Sequence, residues 1–285
     1  MLAEELKIFL RGYNFRPNDL LGQNFLLDEE VLEQIADAAE LSGRDQVLEI
    51  GPGIGNLTEL LAARAGLVLA IEKDQRYFPI LRDRLGDKLM AHTRTPKSSA
   101  NVQLVFGDAT IFNFQEILKP GYKVVANIPY YITGKIIEML LAAKKRPARI
   151  IILVQKEVAE RIVAGAGELS ILALSVQLYC DAKMLGIVPK EMFYPKPEVD
   201  SAILALDVLP KPRLAVDEKK FFRIIKAAFA GKRKQIHNTL RDNLKIPESK
   251  LAEFFKKGIF DPKDRPQQLT LEQWYELYKF IEKQR

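Results

Sequence analysis

The sequence predicts an α/β fold: a mostly parallel, Rossmann-like sheet with helices on both faces, followed by a small all-helical C-terminal domain. Three observations carry this. Apolar runs of strand length alternate with helical stretches from about residue 29 to residue 206, the order expected of βαβ units. The first run, Val47-Leu48-Glu49-Ile50, enters a glycine-rich turn, Gly51-Pro52-Gly53-Ile54-Gly55, and a helix opens at Asn56. Beyond Leu209-Pro210-Lys211-Pro212 the apolar spacing turns helical throughout, which sets the expected domains at 1–209 and 210–285.

The elements follow in order. Glu29–Glu40 reads as a helix with Val31, Leu32, Ile35 and Ala39 on one face. Strands are expected at Gln46–Ile50, Leu67–Glu72, Val102–Phe106, Lys123–Asn127 and Arg149–Gln155, and two more near Ala182–Val188 and Ala202–Asp207. Cys180 follows Val176-Gln177-Leu178-Tyr179 and reads as a packed helix residue. In the tail, Phe221, Phe222, Ile225, Ala228 and Phe229 form one apolar helical face, and Phe254 and Phe255 read as core. Thr270 followed by Gln273 has the spacing of a capping box, with Trp274, Leu277 and Phe280 packing inward or against the sheet domain.

Composition excludes several classes. The 285 residues are 48% hydrophobic and 28% charged, ordinary for a soluble globular chain, with no apolar stretch long enough to span a bilayer. The N-terminus lacks a signal-peptide pattern, so a cytoplasmic location is expected. One cysteine rules out an intrachain disulfide and a cysteine-rich zinc site, and two histidines rule out a histidine-rich site, so no metal is expected. Charge is uneven: the whole chain is +6, whereas residues 211–245 hold eleven Lys/Arg against three Asp/Glu, or +8. Such a segment attracts phosphate backbones, and Lys232, Arg233, Lys234 and Arg241 are the candidate RNA contacts; a solvated helix face is the plainer alternative.

The strand ends carry the chemistry. Open α/β sheets bind ligands at the carboxyl ends of their strands. Glu49, Gly51 and Gly53 lie at the first, Glu72 at the second, where a carboxylate reaches ribose hydroxyls, and Asp108-Ala109 at the third, where a carboxylate can take an adenine amine. The pattern is G-x-G-x-G with Asn56 where a dinucleotide fingerprint wants glycine. That favours S-adenosylmethionine over a nicotinamide dinucleotide, since no pyrophosphate needs seating. Glu49 can orient the methionine end of such a cofactor or stand behind it as a structural acid.

The fourth strand ends in Asn127-Ile128-Pro129-Tyr130. Asn127 supplies a neutral acceptor. Pro129 biases Ile128 toward an extended backbone that leaves its carbonyl as a second acceptor, and Tyr130 offers a stacking face. An exocyclic amine on a flat base needs these groups. Alone, the four residues describe a strand end and a proline turn equally well; their company with Gly51, Glu72 and Asp108 favours the chemistry.

These motifs together resemble the rRNA adenine N6,N6-dimethyltransferases, in particular their bacterial small-subunit (KsgA) group. The resemblance runs from about Gly22 to Tyr278 and adds three further motifs to those above. They are Gly22-Gln23-Asn24-Phe25-Leu26-Leu27-Asp28, Phe193-Tyr194-Pro195-Lys196-Pro197-Glu198-Val199-Asp200-Ser201, and Gly231-Lys232-Arg233-Lys234 with Asn238-Thr239-Leu240 and Arg265-Pro266. It implies a class I S-adenosylmethionine-dependent methyltransferase sheet that closes with an antiparallel edge strand, and dimethylation of two adjacent adenosines near the 3′ end of small-subunit (16S) rRNA. Asn24, Leu26 and Asn127 would border the cofactor, and Tyr130 and Phe193 would grip the target base. The partner implied is rRNA in a small-subunit precursor (pre-30S) particle, bound by a monomer. Two features depart from the family: Asn18-Asp19-Leu20-Leu21 stands where basic residues are usual, and Gly86–Asn101 reads as an inserted surface loop with Lys88, His92, Arg94 and Lys97. The alternatives are a large-subunit adenine methyltransferase of the antibiotic-resistance type, a non-catalytic RNA-binding assembly or transcription factor on the same fold, and a small-molecule methyltransferase.

Overall fold

The computed structural model describes residues 3–18, 22–90, 100–231 and 233–283. Asp19, Leu20 and Leu21, the His92, Arg94 and Lys97 part of the inserted loop, and Lys232 lie outside the described residues. The chain divides into two compact units, Met1–Ala159 with Ala182–Val208, and Glu160–Asp181 with Leu209–Arg285. A single cut after residue 209 is therefore corrected. Glu160–Asp181 groups with the C-terminal helices because its helix packs its apolar residues there.

The first unit begins with helix α1 (Ala3–Gly12) and a two-residue strand β1 (Phe25–Leu26). Helix α2 (Glu29–Ala38) follows, capped by the Asp28 carboxylate, which accepts from Val31 N at 2.9 Å. It stops short of the expected Glu40, which takes a left-handed φ of 49°. Then β2 (Gln46–Ile50), α3 (Asn56–Arg64), β3 (Leu67–Glu72), α4 (Tyr77–Leu85), β4 (Val102–Phe106), β5 (Lys123–Asn127), α5 (Thr133–Ala142) and β6 (Arg149–Gln155) alternate as expected. Helix α6 (Lys156–Val163) crosses into the second unit, where α7 (Ile171–Tyr179) lies. The chain returns through β7 (Cys180–Val188), β8 (Phe193–Tyr194) and β9 (Ser201–Val208).

The main sheet has the order β4-β3-β2-β5-β6-β9-β7. Strands β4, β3, β2, β5 and β6 are parallel; the central residues of β3, β2, β5 and β6 are buried because helices flank the sheet, whereas those of the edge strand β4 are half-buried. Strand β9 runs antiparallel to β6 from Arg149↔Asp207 to Gln155↔Ser201. It is not the edge strand: β7 lies outside it. Cys180 is the buried first residue of β7, not a helix residue, because α7 ends at Tyr179. The strand order reverses between β2 and β5, so the carboxyl ends of these two strands form the switch point where a ligand crevice opens.

In the second unit α8 (Glu218–Phe229) and α11 (Leu271–Lys283) pack on α7 and on each other, α9 (Ile236–Leu244) packs on α8, and α10 (Glu248–Phe255) on α9. Phe221, Phe254 and Trp274 are buried, Trp274 stacks on Phe229 with ring centroids 6.0 Å apart, and Phe280 lies 4.9 Å from Phe254. The Thr270 and Gln273 side chains each accept from the other's backbone N–H, at 3.3 and 2.9 Å respectively, closing the expected capping box. Among the described residues no helix is long and apolar enough to cross a membrane.

Candidate active site and cofactor cavity

The glycine turn after β2 needs its glycines for two reasons. Gly55 caps α3 with φ +87°, and a Cβ there would stand 3.0 Å from Leu81 Cδ2 and 3.4 Å from Arg84 Cδ, so a side chain would both strain the backbone and press on these neighbours. Gly51 has φ +70° and no atom within 4 Å of a Cβ position, which leaves the strand end open to a ligand. Asn56, which breaks the dinucleotide fingerprint, donates through Nδ2 to the Leu26 carbonyl at 3.2 Å and so ties β1 to the turn.

Three acids stand at the first three strand ends. Glu49 is 1% exposed, and its Oε2 is buried with no hydrogen-bond partner. Burial raises its carboxyl to about 8; the neighbouring Thr58 hydroxyl acts the other way, and the Glu72 charge adds to the rise. Glu72 is also buried, and burial raises it too, against the pull of backbone donors. Its Oε1 accepts from Asp74 N at 2.8 Å and its Oε2 from Gly53 N at 3.1 Å, so this carboxylate fixes the glycine turn against the end of β3. Asp108 is more open: Oδ1 accepts from Thr110 N at 2.9 Å and Thr110 Oγ1 at 2.7 Å, and Oδ2 from Lys73 Nζ at 2.9 Å. The Lys73 ammonium, then these donors, hold its carboxyl down at about 2.

At the end of β5 the Asn127 amide donates through Nδ2 to the Asn24 carbonyl at 3.3 Å. With its nitrogen so engaged, the side chain keeps Oδ1 as an acceptor. The next three residues form a 3-10 turn, Tyr130–Ile132, whose bonds run from Ile132 N to Pro129 O and from Thr133 N to Tyr130 O. The Ile128 carbonyl is not used by that turn. The Tyr130 hydroxyl is 2.7 Å from Ser201 Oγ, so the last residue of the Phe193 motif anchors the ring of the Asn127 motif. Asp200 anchors the same stretch, its Oδ1 accepting from Lys190 N at 3.1 Å.

Every residue assigned above to the cofactor lies on the wall of one cavity of about 450 Å³: Asn24, Leu26, Glu49, Gly51 and Gly53, then Glu72, Asp108, Ala109 and Asn127. The size suits a nucleoside-bearing small molecule. Asn127 and Pro129 bring the fourth strand end to the same wall, whereas Ile128, Tyr130 and Phe193 are not on it. Phe193 is 4% exposed and sits in the hydrophobic core, with β8 paired to β1 through Leu26↔Phe193. Its ring therefore supports Leu26 from behind in this conformation and does not face a base. Of the three aromatics on the wall, Phe25 and Tyr77 are buried and Tyr131 is 64% exposed; the motif reading passed over Tyr131 in favour of Tyr130. Gln23 was also missed: it donates to Asp74 Oδ2 at 2.9 Å at the cavity edge, and its place between Gly22 and Asn24 was the available signal.

The donor set fits S-adenosylmethionine. An unpartnered buried oxygen on Glu49, an open strand end at Gly51, a buried carboxylate at Glu72 and an accessible one at Asp108 offer acceptors to an ammonium, ribose hydroxyls and an adenine amine.

Of the basic candidates, Arg233 and Lys234 lie in the turn between α8 and α9, and Arg241 on α9. Arg233 and Lys234 are exposed. Acids are not as scarce as the run suggests, since Asp242 is 3.7 Å from Lys234 Nζ and 3.0 Å from Arg241 Nε.

Residues 14–283 match the family described as ribosomal RNA adenine dimethylase. The chain belongs to that family. A Clostridium botulinum (strain Okra / Type B1) protein named ribosomal RNA small subunit methyltransferase A is 40% identical over 276 residues, spanning 95% of this chain and 96% of the relative. A Moorella thermoacetica protein of the same name is 39% identical, spanning 93% of each. Among solved structures, a dimethyladenosine transferase from Plasmodium falciparum superposes with a TM-score of 0.73 at 26% identity, covering 91% of this chain and 98% of that one. The 23S rRNA methyltransferase ErmE gives 0.71 at 26%, covering 90% and 99%. The adenine dimethylase family thus accounts for both the sheet with its cavity and the helical tail.

Proposed function

We propose that this protein methylates N6 of two adjacent adenosines near the 3′ end of small-subunit rRNA, giving N6,N6-dimethyladenosine during assembly of the small subunit. The observation that carries the reading is Asn127, whose amide nitrogen is held by the Asn24 carbonyl so that its oxygen remains an acceptor at the wall of the cavity. The names of the curated relatives favour the small subunit.

S-adenosylmethionine, when bound, supplies an electrophilic methyl on a sulfonium. Glu72 would hold its ribose hydroxyls and Asp108, with Ala109, its adenine. Glu49, Gly51 and Gly53 would border its methionine end, and Asn24 and Leu26 close the wall. The chain's part in the reaction is to present the amine. The lone pair of an adenine amine is delocalised into the ring. Asn127 Oδ1 and the Ile128 carbonyl would accept its two hydrogens and draw the nitrogen toward a tetrahedral shape, which localises the lone pair. The nitrogen would take the methyl as the methyl–sulfur bond breaks to leave a neutral thioether, and would then release a proton to water, so no strong base is needed. Tyr130, fixed by Ser201, would hold the ring of the base, with Phe193 buttressing Leu26 behind the cavity. The adenine must leave its stack to reach this site.

Lys232, Arg233, Lys234 and Arg241 are proposed as contacts to the rRNA backbone. The protein would act as a monomer on pre-30S particles, which are cytoplasmic. The test is mass mapping of methyl groups on rRNA after incubation of the protein with small-subunit particles and labelled S-adenosylmethionine. Two neighbouring dimethyladenosines near the small-subunit 3′ end are expected. Methylation of large-subunit rRNA would favour the resistance-type reading, and no methyl transfer would leave only RNA binding.

A further inference from the structure

Two acids of the cavity wall carry an exposed cation, Asp74 with Arg76 and Asp108 with Lys73, and of the two Asp108 is the one read as receiving the adenine amine. Its Oδ1 already takes two donors from Thr110, the backbone N–H at 2.9 Å and the hydroxyl at 2.7 Å, which fills both lone pairs of that oxygen. Any further donor must come to Oδ2, and Lys73 Nζ is there at 2.9 Å. Lys73 is 71% exposed and lies on the cavity wall. Its surroundings form a rim: Tyr131 is close enough to act on the Lys73 charge, after Asp108 itself, and Lys135 Nζ reaches Thr110 Oγ1 at 3.2 Å. Tyr131 and Lys135 are both exposed.

We propose that Lys73 couples cofactor occupancy to RNA binding: it rests on Asp108 when the cavity is empty and turns to an RNA phosphate at the rim when a cofactor adenine amine takes Asp108. The inference rests on the reading that Asp108 receives that amine. The amine would take the second lone pair of Oδ2 and weaken that oxygen's hold on the ammonium; an exposed ion pair is worth little to begin with, so an incoming phosphate draws Lys73 away. A lysine suits the role, being a point charge on a flexible stem. Its release adds one free cation at the mouth, beside an exposed aromatic ring that an RNA base can stack on. An enzyme so built would engage RNA better once it carries its methyl donor.

The experiment measures binding of small-subunit rRNA by the full chain across a salt series, with and without S-adenosylhomocysteine, so that no methyl moves. In the wild type the homocysteine product should tighten RNA binding and steepen the salt dependence of log K by about 0.7–0.9, the increment of one phosphate contact. Lys73→Met should abolish the increment and bind S-adenosylhomocysteine a few-fold more tightly without RNA, since an exposed pair no longer competes. Lys73→Arg should restore the increment. A wild type with no increment, or a Lys73→Met variant that retains it, overturns the proposal. Asp108→Asn separates the two readings. If it leaves S-adenosylhomocysteine affinity unchanged, the adenine assignment fails and the coupling with it; if it weakens that affinity while Lys73→Met keeps the increment, only the coupling fails.

Discussion

Replacing Glu49 by Gln changes a buried acid into a neutral isostere and tests the electrostatics of the cavity floor. Glu49 is 1% exposed, and burial raises its carboxyl from 4.5 to about 8. The folded state therefore binds this proton more tightly than the unfolded chain does. The contribution of Glu49 to stability is full below about pH 4.5, falls as pH rises, and is gone above about pH 8. At ~1.36 kcal/mol per pH unit the loss across that window is on the order of a few kcal/mol. Gln cannot ionise, so the variant lacks this slope. Its new amide donors, if unpartnered, add a pH-independent cost of about 1–3 kcal/mol. Urea unfolding of cofactor-free wild type and Glu49→Gln, followed by far-UV circular dichroism from pH 5 to 9 at fixed ionic strength, reads the difference, and other titrating groups cancel. The variant should be the less stable at pH 5 and gain on the wild type as pH rises. Parallel stability curves would refute a protonated Glu49 in the cofactor-free protein.

Glu72→Ala should weaken S-adenosylmethionine by about 1–3 kcal/mol if the ribose hydroxyls it serves stay buried, measured by calorimetry on a variant shown to be folded; unchanged affinity removes the ribose assignment. Gly55→Ala should destabilise the protein by about 1–3 kcal/mol in urea, because the new Cβ meets Leu81 at 3.0 Å from a backbone with φ +87°. Arg233→Ala should lower the salt dependence of rRNA binding by about 0.7–0.9, and Lys234→Ala by less, because Lys234 already shares Asp242 with Arg241. Equal losses would mean that Asp242 does not restrain Lys234.

The parallel strands were legible because each is a short apolar run, and β2 to β6 begin and end where the runs do. That one cavity gathers Glu49, Glu72, Asp108 and Asn127 was legible because they fall at or beside four strand ends, and the fold brings such ends together at a switch point. What sequence could not give was side-chain direction within a turn. Tyr130 and Tyr131 are adjacent, and a 3-10 turn rotates successive side chains by about a third of a circle, so one meets Ser201 while the other meets the cavity. Phe193 was read by motif as a base contact, yet β1–β8 pairing draws its ring into the core. The run around Lys232 looked uncompensated because Asp242 is a turn of helix and more away in sequence. Periodicity also could not tell which unit α7 would join, since an apolar helix fits either.

Asn127 tests the central claim most directly. The assay is nucleoside analysis of small-subunit rRNA treated with wild type or Asn127→Ala and S-adenosylmethionine, with cofactor affinity measured alongside. Wild type should give dimethyladenosine at neighbouring adenosines, with the monomethyl form only passing, because a monomethylated amine still has one hydrogen to offer Asn127 Oδ1 or the Ile128 carbonyl and can turn its lone pair outward again. Asn127→Ala should stay folded, bind cofactor somewhat more weakly, and lose about 2–4 kcal/mol of transition-state stabilisation, roughly 30- to 1,000-fold in rate. Near-normal turnover by Asn127→Ala, or monomethyladenosine as the sole wild-type product, would contradict the account.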